Sequence, residues 1–122
     1  MLPSVTEWSV TMSRPTDLVQ GTLDLLLLKI IAMEPQNGWA ISQQLKSLSS
    51  DVLQVSDGSL YPALHKLEQQ GWISAKWGIS ENKRRAKFYS LSRLGRHQLD
   101  RETDQWSRLS DAITQLVRLR EA

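Results

Sequence analysis

Ser56-Asp57-Gly58-Ser59-Leu60-Tyr61-Pro62-Ala63-Leu64-His65-Lys66-Leu67 carries leucines at positions 60, 64 and 67. That spacing puts apolar side chains on one face of a helix. The helix is expected over about 58–70, and Gly71 stands where a left-handed residue would end it. Away from the leucines, Ser59, Tyr61, Pro62, His65 and Lys66 fall near one polar side. Pro62 strains the reading, because an interior proline removes one backbone bond and crowds the carbonyl four residues back, here Gly58. Propensity alone would start the helix at Pro62.

Two helical stretches precede this one. Residues 17–33 hold Leu18, Leu25, Leu26, Leu28, Ile30 and Ile31, apolar around most of the circumference, with Asp17 as an N-cap. Such a helix needs cover on several sides, and a partner subunit is one expected source. Pro35, Asn37 and Gly38 read as a turn, and a second helix is expected over 39–48 with Ile41, Leu45 and Leu48 on one face.

Beyond Gly71 the period changes. Residues 72–79 and 87–91 each read as a short strand, with the polar, basic run 80–85 between them, so the pair is expected to form a hairpin. Ser92 is placed to cap a final helix over about 92–120, which at 1.5 Å per residue is about 42 Å long. On it Leu99, Trp106, Leu109, Ile113 and Leu116 follow a seam close to heptad spacing. Three short helices and a two-stranded hairpin make a winged helix-turn-helix, so the fold is expected to be mainly α. The last helix is too long to be covered by so small a domain, and is expected to be a dimerisation helix. The division that follows is an arm over 1–16, a winged domain over 17–91 and the dimer helix over 92–122. Met12 is an in-frame alternative start, while Trp8 upstream of it is the kind of residue that docks on a partner.

The composition narrows the function. The chain of 122 residues has no cysteine, which excludes disulfides, thiol nucleophiles and cysteine zinc sites. Its longest apolar stretch, 25–33, is interrupted by Lys29 and is too short for a bilayer. No basic segment followed by an apolar one marks a secretory signal, so the cytoplasm is the expected location. His65 and His97 are far apart and fit no catalytic or metal-ligand motif, so no enzyme, cofactor or metal is expected. Net charge is only +2, but residues 56–91 carry six cations against three anions. Lys83, Arg84, Arg85 and Lys87 make most of that excess. A local basic patch on a near-neutral chain is the footprint of one face that meets nucleic acid.

In a helix-turn-helix the start of the second motif helix enters the major groove. Hydroxyls of Ser59 and Tyr61 and the Lys66 ammonium suit phosphates, while His65 and Ser59 suit base edges. The cations at 83, 84, 85 and 87 on a hairpin suit phosphate contact or the minor groove. Periodicity alone is also satisfied by an amphipathic helix with a solvated face and a solubilising turn. A winged helix used only to bind another protein is the rival function. Trp106 reads first as an interface anchor, and secondly as a stacking surface for an aromatic effector between two subunits.

Taken together, these stretches resemble the PadR family of bacterial transcriptional regulators, from about Leu18 to Leu119. Gly21-Thr22-Leu23-Asp24-Leu25-Leu26-Leu27-Leu28 resembles its first helix, and 58–68 with Gly71-Trp72-Ile73 its recognition helix and the start of the wing. Residues 84–92 with Gly95 resemble the rest of the wing and the head of the last helix. Trp106-Ser107-Arg108-Leu109 resembles the dimer helix of a multidrug-sensing member. The resemblance implies a homodimeric repressor on an inverted-repeat operator in double-stranded DNA, of the short form with one C-terminal helix. It places Ser59, Tyr61, His65 and Lys66 in the recognition helix and Arg84, Arg85 and Lys87 in the wing. In the drug-sensing relative the tryptophan matching Trp106 lines a hydrophobic pore at the dimer centre and stacks on flat ligands. One departure stands out: Asn82 and Lys83 occupy a wing tip where the family often has glycine.

Overall fold

The computed structural model describes residues 22–120. The expected arm over 1–16 and the expected cap at Asp17 lie outside the described residues. Within them the order is α1 (Leu23–Met33), β1 (Gln36–Asn37), α2 (Gly38–Leu48), α3 (Asp57–Gln69), β2 (Ile73–Ile79), β3 (Arg85–Leu91) and α4 (Arg93–Val117). This is a winged helix followed by a long C-terminal helix.

Helix α1 is the centre of the core. Leu23, Leu27, Leu28, Ile30 and Ile31 are buried on it, and it packs against α2, α3, β3 and α4. Most of the cover that its apolar circumference demands therefore comes from its own subunit; Leu25 and Leu26 are left half-buried. Ile41 and Leu45 of α2 and Leu60, Leu64 and Leu67 of α3 close the cluster from the other side.

Helix α3 begins at Asp57 and passes straight through Pro62. Ser59 N and Leu60 N both donate to the Ser56 carbonyl, at 3.0 and 2.8 Å, and start the turn. An interior proline costs about 3 kcal/mol. Leu60, Leu64 and Leu67 are each fully buried on this helix, at about 1.5–3 kcal/mol apiece, so packing wins over propensity. The helix ends as its glycine requires. Gly71 has φ +78°, Gly71 N donates to Glu68 O at 3.0 Å, and Trp72 N donates to Leu67 O at 3.1 Å. That is the paired bonding of a Schellman ending.

The wing is an antiparallel pair in register from Ile73 opposite Leu91 to Ile79 opposite Arg85. A third strand joins it, where a turn was expected. Gln36 and Asn37 pair with Tyr89 and Phe88, giving the sheet order β1-β3-β2. Two residues show no alternation in a sequence, so β1 had no signature of its own. The Gln36 side chain is buried and its amide donates to Ile30 O at 2.9 Å and Glu34 O at 3.2 Å, which tethers β1 to the end of α1. Asn37 is also the cap of α2, accepting from Ala40 N at 2.8 Å.

Helix α4 starts where expected. Ser92 Oγ accepts from Gly95 N at 3.0 Å and donates to the Gly71 carbonyl. At 25 residues α4 is about 37 Å long. Its seam divides. Leu99 is buried in the subunit's own core beside α1, while Trp106, Leu109, Ile113 and Leu116 are exposed. Leu99, expected on the dimer seam, thus belongs to the junction of α4 with the domain.

Candidate nucleic-acid interface

At about 100° per residue, the side chains of α3 sort into one buried face, two flanks and an outer ridge. The leucines at 60, 64 and 67 take the buried face. Gly58, Pro62, His65 and Gln69 lie opposite and are exposed. Tyr61 and Glu68 share one flank; Ser59 and Lys66 share the other. The residues expected on a single polar side therefore face three ways.

Each flank is tied down. Lys66 Nζ sits 2.6 Å from Asp24 Oδ2, so this lysine spans from α3 to the first turn of α1. Ser56 Oγ donates to Ser59 Oγ at 3.4 Å. On the opposite flank Glu68 Oε1 meets Lys87 Nζ at 3.3 Å, joining α3 to the wing. Tyr61 is half in solvent, with its ring laid on Gly38 at the head of α2. A methyl group at position 38 would stand 2.7 Å from the ring and from its hydroxyl, so an alanine there would push the Tyr61 ring aside.

The basic run of the wing is likewise divided by the register. Lys83 and Arg84 lie on the turn, which Lys83 N closes on Ser80 O at 2.9 Å and Ser80 N on Arg84 O at 2.8 Å. Lys83 takes the left-handed conformation, φ +60°, where glycine would be easier, and its side chain is exposed. Arg85 is on the strand, opposite Ile79, with its guanidinium 4.6 Å above the Trp77 ring. Lys87 lies two residues deeper, opposite Trp77 and 5.9 Å from the Tyr89 ring. Burial raises the Tyr89 phenol above its ordinary range, against the pull of the Lys87 ammonium. Among the described residues, Lys83, Arg84 and Arg85 have no carboxylate partner, whereas Lys66 and Lys87 do.

Wing, α2 and α3 enclose an open cleft of about 890 Å³. Trp39, Tyr61, Trp77, Arg84, Arg85 and Lys87 are among its walls. The positive end of the α2 dipole also opens on it, through the peptide groups at Gly38, Trp39 and Ala40. Cations, a phenolic hydroxyl and a helix N-terminus around one trough are the donors that a sugar–phosphate strand accepts.

His65 is on α3 and His97 on α4, and among the described residues no three His, Cys, Asp or Glu side chains come together as metal ligands. No helix among the described residues is long and apolar enough to cross a membrane. Asp24, Glu68 and Gln69 were not singled out as site residues in the sequence, and Gly38 was read only as part of a turn. Asp24 and Lys66 are 42 positions apart, and nothing in either neighbourhood announces the pair; the signal for Gln69 was available, four residues on from His65 on the same helical ridge.

Comparison with known proteins agrees with this architecture. A PadR-family regulator from Eggerthella lenta is 26% identical, with 95% of this chain and 99% of that one superposed at a TM-score of 0.76. A PadR-like regulator from Bacillus cereus is 25% identical over 84% of this chain and 98% of its own, with a TM-score of 0.74. A relative from Lysinibacillus sphaericus, itself uncharacterised, is 26% identical over 98 residues, 80% of this chain and 90% of that one. The family model described as transcriptional regulator PadR-like matches residues 27–101, from α1 into α4. The chain belongs to the PadR-like family of transcriptional regulators.

Proposed function

We propose that this protein is a homodimeric repressor that binds an inverted repeat in double-stranded DNA. Each subunit offers the exposed ridge of α3 to a major groove and its wing to the adjoining backbone or minor groove. The observation that carries the reading is the group Lys83, Arg84 and Arg85, exposed and without carboxylate partners beside that ridge. In the DNA complex Tyr61 and the head of α2 face one strand of the backbone across the cleft. Lys66 and Lys87 serve less as free phosphate ligands than as ties, since Asp24 and Glu68 already hold them.

The test is fluorescence anisotropy with DNA from upstream of the protein's own gene, against a shuffled duplex, at several salt concentrations. A preference for the native fragment at two subunits per duplex is expected. Arg84→Ala with Arg85→Ala should weaken binding to both duplexes. A charge-assisted hydrogen bond is worth about 1.5 kcal/mol or more, so each arginine should account for roughly tenfold. The slope of log K against log salt should flatten by about 2, near 0.9 per lost phosphate contact. An unchanged slope would remove the wing from the interface. Absence of binding to either duplex at low salt would leave the winged helix as a protein-binding module.

Regulation by a small effector fits the same architecture. Trp106 is 44% exposed, on the seam that a partner subunit would face. A flat hydrophobic compound stacked there between subunits would shift α4 against its mate and release DNA. Such a compound should quench the tryptophan emission of the native chain and leave a Trp106→Leu variant unaffected. Quenching of equal depth in both would place the compound elsewhere.

A further inference from the structure

We propose that Gln69 is a base-reading residue, and that it selects adenine in each half-site. The inference rests on the DNA-binding reading above and assigns within it a residue that the motif itself did not mark.

The case begins with which α3 side chains are free to read. Lys66 is committed to Asp24, Glu68 to Lys87, Ser59 to Ser56, and the Tyr61 ring to the backbone of Gly38. These residues also sit on the flanks, turned toward α1, α2 and the wing. On the outer ridge stand Gly58, Pro62, His65 and Gln69, all exposed. Gly58 has no side chain, and Pro62 offers only an apolar ring. His65 and Gln69 are therefore the ridge's two hydrogen-bonding side chains, and neither has a partner among the described residues. The long cations, which would favour phosphates indiscriminately, are absent from this ridge.

Chemistry then separates the two. A glutamine amide presents one donor and one acceptor side by side, the complement of adenine N7 and the N6 amino group in the major groove. Residues 65 and 69 are one helical turn apart, about 6 Å along the axis. Stacked bases are about 3.4 Å apart. The adenine read by Gln69 should then lie about two base pairs from the position read by His65. Pro62, one turn on the other side of His65, is the apolar surface that a thymine methyl can meet.

The experiment is selection from a randomised duplex pool with the full-length chain, followed by anisotropy on single-base variants of the selected site. The native chain should retain adenine at one position of each half-site. Gln69→Ala should lose that preference by about 5- to 150-fold at that position alone, with the salt slope unchanged. Gln69→Glu should move it from adenine to cytosine, whose N4 amino group a carboxylate accepts from. His65→Ala should erase a different position, about two base pairs away. Adenine retained by Gln69→Ala would overturn the proposal, as would a loss of affinity shared by every sequence, which marks a backbone contact. If the native chain selects no sequence at all, the DNA-reading function fails first and the assignment falls with it. Because Gln69 is exposed, both variants should melt within a few degrees of the native chain.

Discussion

Gly95→Ala is expected to lower the melting temperature by more than 10 °C. A methyl group on Gly95 would stand 1.9 Å from the Trp72 carbonyl oxygen, 2.9 Å from its carbon and 2.8 Å from Leu91 Cδ1. Real contacts of that kind do not exist, so something must move. The carbonyl cannot swing away cheaply, because it accepts from Ser92 N at 3.0 Å and follows directly on the Schellman ending at Gly71. The remaining course is for the head of α4 to lift off the corner between α3 and β2, which loosens Leu99 in the core. Overpacking costs typically 1–3 kcal/mol, and contact with rigid backbone belongs at or above the top of that range. For a domain of this size each kcal/mol is worth about 4–8 °C. Thermal unfolding followed by circular dichroism measures the effect. Gly58→Ala is the control, because a methyl there meets only Ser56 Oγ at 3.8 Å and alanine favours a helix. The control should melt at or slightly above the native temperature. If Gly95→Ala melts with it, α4 is not seated on Trp72 as described.

That corner also shows which parts of the fold could be read in advance. Gly71, Ser92 and the leucines at 60, 64 and 67 are legible because each meets a local requirement: a left-handed turn, a cap, a 3.6-residue period. The wing is legible as two short strand-like runs on either side of a polar turn, although β3 starts at Arg85, inside the run that reads as the turn. What stayed hidden depends on chain that is remote in sequence. Whether Leu99 faces a partner or its own core depends on where α1 lies, and α1 is some seventy residues away. The period of the seam is the same in both cases, so spacing alone could not separate Leu99 from Trp106. In the site, the type of residue was legible and its direction was not. The basic run reads as one cluster, yet Lys83 and Arg84 lie on the turn while Arg85 and Lys87 share one face of β3, and position along the strand decides which cations stand free at the tip and which meets Glu68. Pro62 shows propensity yielding to packing, since the burial that carries α3 through it is a tertiary fact.

On the homodimeric reading proposed above, Ile113→Asp is expected to convert dimer to monomer and to weaken operator binding by about one to three orders of magnitude. Trp106, Leu109, Ile113 and Leu116 project from a part of α4 where, among the described residues from Thr103 to Arg120, no side chain is buried. Unpaired helices of this kind lose their apolar burial to water, whereas an antiparallel or crossed pair regains it on both copies at once. In a two-fold interface one substitution enters twice, so an aspartate at 113 places two carboxylates in the seam. An unpaired charge in such a setting costs several kcal/mol, more than the seam regains from any one of its side chains. The winged domain should survive, because Leu99 and the core residues from Leu23 to Tyr89 pack within the subunit, and far-ultraviolet circular dichroism should retain its helical signal. Light scattering then reports the mass, and anisotropy the affinity. A single subunit forfeits the second half-site, whose binding is intramolecular in a dimer at an effective concentration near the millimolar range. With half-site affinities of about 10⁻⁴ to 10⁻⁶ M, that linkage is worth the stated one to three orders. The salt slope should halve as the affinity falls, since half of the phosphate contacts go. A variant that stays dimeric and keeps its affinity would put the interface on another surface, and α4 beyond Leu99 would then need a different partner to cover it.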